Sequence, residues 1–290
     1  MGMESAISKK EVIQCVAQLV EKAAKVLPDD VLNALIEAYK RERNHSAKKI
    51  LEILIENARI AKEKNLPICQ DTGIDCIFVT VGQGLLLDFD LKEAICQGVR
   101  QGTREGYLRA SVADPLTRIN TGDNTPPIVH FELIPERCLE ITVLPKGCGS
   151  ENMSALYMLP PSSGREGIVS RVIERVVEAG ANPCPPGVIG IGVGGTMEKA
   201  ALLAKKAVLR PIGTHHERED VRKMEEELLE RINGLGLGPL GLGGDTTSLW
   251  VAMEVYPCHI ASLPVAINYQ CHAARRARAV LHNGQMEIVE

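Results

Sequence analysis

The sequence predicts a mixed α/β protein in one domain, with a helical N-terminal region over about residues 1–66 and a mixed sheet flanked by helices over about 67–290. Three observations lead there. Apolar residues recur at helical spacing through the first quarter, β-branched runs bounded by Gly, Pro or Asp begin near residue 67, and helical patterns alternate with such runs thereafter. There are no repeats and no long low-complexity linker. With 45% apolar but only 3% aromatic residues among 290, the interior has to be built mainly from Val, Ile, Leu and Ala.

Each element has its own signal. Ser8 with Glu11 makes a capping-box pattern ahead of Ile13, Val16, Leu19 and Val20. Asp29 and Asp30, after Pro28, start a second helix, and Ser46 opens a third that carries Ile50, Leu51, Ile53, Leu54 and Ala58 before stopping ahead of Pro67. Strands are predicted over 74–81, 128–134, 139–144, 188–193, 248–256 and 260–268, and helices over 91–107, 165–179, 196–209 and 218–233.

Composition excludes several classes of function. A net charge of −4 gives no electrostatic reason to expect nucleic acid or an anionic membrane as partner. No apolar run approaches the roughly 20 residues that span a bilayer. The first residues lack the basic and apolar regions of a secretory signal, so the cytoplasm is the expected location.

Two glycine clusters each admit two readings. Gly190-Ile-Gly-Val-Gly-Gly195 follows a strand and precedes a helix, as a phosphate cradle would, yet its spacing is not G-x-G-x-x-G and no acidic residue ends a second strand about twenty positions on. The other reading is a small-residue strand end that admits a close neighbour. The run from Gly234 to Gly244, six glycines and a proline in eleven residues, is either a loop wrapping the sheet edge or a backbone cradle for a cluster or carboxylate.

The nine cysteines include no Cys-x-x-Cys pair, which removes zinc-ribbon and thioredoxin-like sites. Cys15 and Cys96 fall on apolar helical faces, while Cys76 and Cys138 fall in or beside strands, and all four read as core. Cys69, Cys184 and Cys271 differ, each lying in a polar stretch bounded by Gly or Pro next to an apolar run: Pro67-Ile-Cys-Gln-Asp-Thr-Gly73, Asn182-Pro-Cys-Pro-Pro-Gly187 and Asn268-Tyr-Gln-Cys-His-Ala273. Three thiols converging from such loops can hold a soft metal centre. In Lys146-Gly-Cys-Gly-Ser-Glu-Asn152 the glycines free backbone N–H groups for an anion. Arg104, Arg109 and Arg118 can clamp carboxylates, or serve as solvated charges.

These motifs, together with His259, resemble in identity and order the iron–sulfur (class I) fumarate hydratases, over nearly the whole chain to about Arg278. The likeness is to the α subunit of the two-chain form, or equally to the N-terminal half of the single-chain form. L-tartrate dehydratase α subunits share the three cysteine contexts but not the Gly-Ser-Glu-Asn continuation at 149–152, which favours fumarate.

The resemblance implies a 4Fe-4S cluster on Cys69, Cys184 and Cys271, with one iron open to substrate. It implies that Gln70, Asp71, Arg109, Gly149 and His259 line a dicarboxylate pocket, Asp71 handling the hydroxyl proton, Arg109 gripping a carboxylate and His259 hydrogen-bonding the substrate. Members of the family often carry Gly where this chain has Cys148, so a fourth thiol stands near these motifs. The base that removes the C3 proton belongs, in the family, to the other polypeptide, which implies a β-subunit partner and an α2β2 assembly. A non-catalytic cluster or electron-transfer protein, or a dinucleotide-dependent oxidoreductase using the turn at 190–195, is the alternative from a different class.

Overall fold

The computed structural model describes residues 7–282 and 285–289. The elements are, in order, helices α1 (Lys9–Lys25), α2 (Asp29–Arg41) and α3 (His45–Lys64), then β1 (Ile74–Gly82), α4 (Leu91–Glu105), β2 (Ile128–Ile134), β3 (Leu139–Lys146), α5 (Cys148–Glu151), β4 (Ala155–Leu159), α6 (Gly164–Ala179), β5 (Gly187–Gly194), α7 (Met197–Ala207), α8 (Glu219–Gly234), β6 (Ser248–Tyr256), β7 (Leu263–Gln270), β8 (Ala277–His282) and β9 (Gln285–Val289). The α/β class is as predicted.

The chain forms two compact units. The first comprises residues 1–28, 60–147 and 275–290, and the second 29–59 and 148–274. The helical N-terminal region is thus shared between them.

In the first unit a five-stranded sheet runs β2-β1-β3-β8-β9, with β1 and β2 parallel and the other pairs antiparallel. Helices α1 and α4 cover it through Val12, Val16, Leu19, Ile95 and Val99, which meet Ile77, Val79, Ile141 and Val143. The capping box at α1 forms as read, Ser8 Oγ accepting from the Glu11 N–H at 3.2 Å while Glu11 Oε2 accepts from the Ser8 N–H at 2.7 Å. That reciprocal pair satisfies two of the helix's orphan donors.

The second unit holds a four-stranded sheet in the order β4-β7-β5-β6, β5 and β6 parallel, β7 antiparallel to both β4 and β5. Ile189 and Ile191 of β5 face the core made by α6 and α8. Gly190 and Gly192 point the other way, as strand alternation requires. A Cβ on Gly190 would lie 2.3 Å from the Ala204 carbonyl oxygen, and one on Gly192 would lie 2.1 Å from that of Ala200. These glycines therefore seat α7 directly on the strand, which settles their role as close helix–sheet packing.

Some boundaries differ from expectation. Asn44 caps the third helix, its Oδ1 accepting from Ser46 N at 2.9 Å and Ala47 N at 3.1 Å, so the helix starts before Ser46. The last predicted strand begins at Leu263, because residues 259–262 turn with the Ser262 N–H donating to the His259 carbonyl at 2.9 Å. Strands β4, β8 and β9 were not predicted.

Candidate active site

In the first unit the turn before β1 carries Cys69, Gln70 and Asp71. Asp71 Oδ1 accepts from Gly73 N at 3.0 Å, closing an Asx turn. Gly73 has φ +84°, and a Cβ there would meet the Lys146 carbonyl carbon at 2.7 Å, so only glycine fits both the turn and its neighbour. From the other side Arg275 Nη2 donates to the Asp71 carbonyl at 3.0 Å. A Cβ on Gly147 would lie 3.1 Å from Asp71 Oδ2, so that glycine leaves room for the carboxylate. Cys69 is half-buried and Gln70 exposed.

Arg109 is held beside this turn by its backbone, its carbonyl accepting from Thr72 Oγ1 at 2.9 Å. The guanidinium is exposed and has no hydrogen bond or ion pair among the described residues. Arg104 instead lies 3.6 Å from Glu105 as a solvated pair. Behind the turn is a buried group of charges: Lys146 is 0% exposed, and Asp75 and Arg275 are 2% exposed. Burial pushes the Asp75 carboxyl up to about 7, against the pull of its hydrogen bond from Asn124 and of the Arg275 guanidinium. Arg275 Nε and Nη1 have no partner among the described residues.

In the second unit three predicted positions gather at one end of the sheet. Cys184 is exposed at φ +54°, and its carbonyl accepts from the His272 N–H at 3.1 Å, which ties its turn to the half-buried Cys271 at the end of β7. A Cβ on Gly149 would lie 3.2 Å from the Asn182 carbonyl oxygen, so α5 abuts the same turn. The glycine-rich run braces it from behind: Leu240 N donates to the Pro185 carbonyl at 2.7 Å, and a Cβ on Gly241 would lie 2.4 Å from that of Ala181. The α5 loop is anchored by Glu151, which accepts from Lys205 Nζ at 2.5 Å and from Asn268 Nδ2 at 3.1 Å. Gln270, next to Cys271, buries an Nε2 amide without a partner among the described residues.

His259 is elsewhere. It lies beyond the opposite end of β7, and the eight residues of that strand put Leu263 and Gln270 roughly 23 Å apart at the usual rise. Its Nδ1 accepts from the Ala261 N–H at 3.1 Å, and the residue lines a cavity of about 440 Å³ together with Val193, Met253, Leu263, Arg165 and Arg218.

None of the nine cysteines forms a disulfide. Cys15 is fully buried with its thiol pushed up to about 12, and burial also raises Cys96 and Cys138. Cys76 is buried and Cys148 exposed. Cys69 belongs to the first unit and Cys184 and Cys271 to the second, and among the described residues no three His, Cys, Asp or Glu side chains form a metal-holding group. Sequence reasoning passed over Asn124, Asp75 and Thr72, whose signal was a polar residue at a turn or strand start with no reason of its own to be buried.

Residues 13–280 match the family model of fumarate hydratase (Fumerase), which makes the chain an enzyme of the hydro-lyase class. It belongs to the fumarate hydratase (Fumerase) family. Among curated proteins it is 49% identical over 269 residues, 90% of this chain and 94% of the other, to a Methanocaldococcus jannaschii protein provisionally named L(+)-tartrate dehydratase subunit alpha. It is 34% identical over 273 residues, 93% of this chain and 90% of the other, to the L(+)-tartrate dehydratase subunit alpha of Escherichia coli K12, and 33% identical over the same length to that of Escherichia coli O157:H7. No helix among the described residues is long and apolar enough to cross a membrane.

Proposed function

We propose that this chain is the α subunit of a cytoplasmic iron–sulfur hydro-lyase that reversibly hydrates fumarate to L-malate. The observation that carries the reading is the registered pair in the first unit: Asp71, its turn held by Arg275, and Arg109, its backbone fixed to Thr72 with its guanidinium unclaimed. A proton-handling carboxylate and a carboxylate-gripping arginine are what a hydroxy dicarboxylate asks of a protein.

Cys69, Cys184 and Cys271 would hold a 4Fe-4S cluster. The donor chemistry fits: Cys184 and Cys271 present soft thiols from turns tied to each other, and Gln270 has an amide N–H to spare for a sulfide. When bound, the cluster supplies a Lewis-acidic iron that polarises the substrate hydroxyl. Asp71 would take or return the hydroxyl proton. Arg109 pairs with a carboxylate through its planar fork, and Gln70 and Gly149 supply further polar contact.

Two negative carboxylates and a C3 proton need more basic groups than this set contains. A β subunit is the proposed source, in keeping with relatives that are named as alpha subunits. His259, to which the resemblance assigns a hydrogen bond to substrate, lies a strand's length from Cys271 in the same unit, and the proposed assembly is α2β2.

A second reading, L(+)-tartrate dehydration, is favoured by the names of those relatives. The test is anaerobic reconstitution of the chain with iron and sulfide, with and without the β subunit, followed by assays on fumarate, L-malate and L(+)-tartrate. Hydration of fumarate that requires the partner is the expected result. Turnover of tartrate alone would select the second reading, and turnover of none would overturn both.

A further inference from the structure

Between α4 and β2 the chain makes a long excursion with Arg109 at its foot. Its distal part is a narrow hairpin, with Thr121 N donating to the Val112 carbonyl at 3.0 Å and Asp114 N to that of Ile119 at 2.9 Å. Such a hairpin has no intrinsic reason to hold one position relative to the Asp71 turn. The Arg100–Asp123 ion pair at 2.8 Å ties its base to α4, and next to it Asn124, which is 3% exposed, ties it to the Asp71 turn. Its Oδ1 accepts from Ser111 N at 2.8 Å, two residues past Arg109. Its Nδ2 donates to the Gly73 carbonyl at 3.2 Å, two residues past Asp71, and to Asp75 Oδ2 at 3.0 Å. Thr72 makes the parallel tie to the Arg109 carbonyl.

We infer that Asn124 is a positioning residue that sets the spacing between Asp71 and Arg109, so that proton handling and carboxylate grip match one substrate length. The inference rests on the roles proposed for those two residues. Only an amide fulfils it, because one end must accept while the other donates to both a carbonyl and a carboxylate. A carboxylate of the same shape keeps the Ser111 contact and loses the donor that serves the Gly73 carbonyl and Asp75. Asn124 also sits at φ +61°, a conformation that Asn and Gly adopt more readily than other residues.

The test uses Asn124→Gly, which keeps the backbone conformation and removes all three bonds, and Asn124→Asp, which removes the donating half. In hydrogen exchange on the full chain, Asn124→Gly should speed exchange at Ser111 by on the order of ten-fold or more, the scale of one lost buried hydrogen bond. Amides in the middle of β1 and β3 should be unchanged, and Asn124→Asp should retain Ser111 protection. In the reconstituted enzyme with its partner, both variants should raise KM for malate more than they lower kcat.

Combined with Arg109→Lys, the Asn124→Gly effect on KM should largely vanish, since it acts through Arg109. Unchanged exchange at Ser111, or KM effects that simply multiply in the double variant, would overturn the inference. Should the wild-type enzyme turn over no dicarboxylate, the reaction reading fails on that result, and the exchange measurement alone decides whether Asn124 holds the register.

Discussion

Replacing Asp75 with Asn should change how stability depends on pH, and the size can be worked from its surroundings. The carboxyl is 2% exposed and accepts a hydrogen bond from Asn124 at 3.0 Å, with the Arg275 guanidinium as its favourable charge. Burial outweighs both and pushes it from 3.8 to about 7. The folded chain therefore holds a proton there that the unfolded chain has released between about pH 4 and 7, and stability falls as pH rises through that window.

A shift of that size corresponds to about 4 kcal/mol at most, fully lost above pH 7, and solvent relaxation reduces it. Asn mimics the protonated form and its carbonyl can accept from Asn124, so the variant should lack this slope and gain on the wild type from pH 4 to 8. The assay is urea unfolding across that range, followed by circular dichroism because the single tryptophan, Trp250, lies in the other unit. Other groups titrating in the window cancel in the difference. Parallel curves for wild type and variant would refute the reasoning.

Substituting Ser for Cys69, Cys184 or Cys271 should abolish the absorbance acquired on anaerobic reconstitution, whereas Ser at Cys15, Cys76, Cys96 or Cys138 should leave it; full iron content in Cys184→Ser would remove that cysteine from the ligand set. Arg109→Lys should lose on the order of 2 to 3 kcal/mol of transition-state stabilisation with iron content unchanged, since an ammonium cannot reproduce the planar two-point grip. Unaltered kcat/KM would show Arg109 to be a surface charge. Gly192→Ala places a Cβ 2.1 Å from the Ala200 carbonyl oxygen and must push α7 off the strand, a destabilisation of roughly 1–3 kcal/mol readable as a lower urea midpoint in Trp250 fluorescence.

What was legible in the sequence was what local chemistry decides. Ser8 and Glu11 are three residues apart and act on each other, so their capping box could be read directly. Asn44 and Ser46 are both good caps, and only the formed helix shows which one is used. Strand β8, Ala-Arg-Ala-Val-Leu-His, is short and weakly patterned, and its place is given by register against β3, far away in sequence. The same distance hid Arg275, 204 residues from the carbonyl it holds, and Asn124, which looks like one more polar residue in a turn. The glycines at 190 and 192 were ambiguous because a ligand and a helix backbone ask for the same missing side chain.

The interleaving of the two units also bears on the order in which the protein can be completed during synthesis. Strands β1, β2 and β3 leave the ribosome early, but β8, which pairs with β3, follows only after residues 148–274 have been made. Arg275 arrives with that last segment. Until then β3 lacks its second neighbour and the Asp71 turn lacks the guanidinium behind it. A nascent chain stalled before residue 275 thus carries all three proposed thiol ligands without the support its proposed proton-handling group needs.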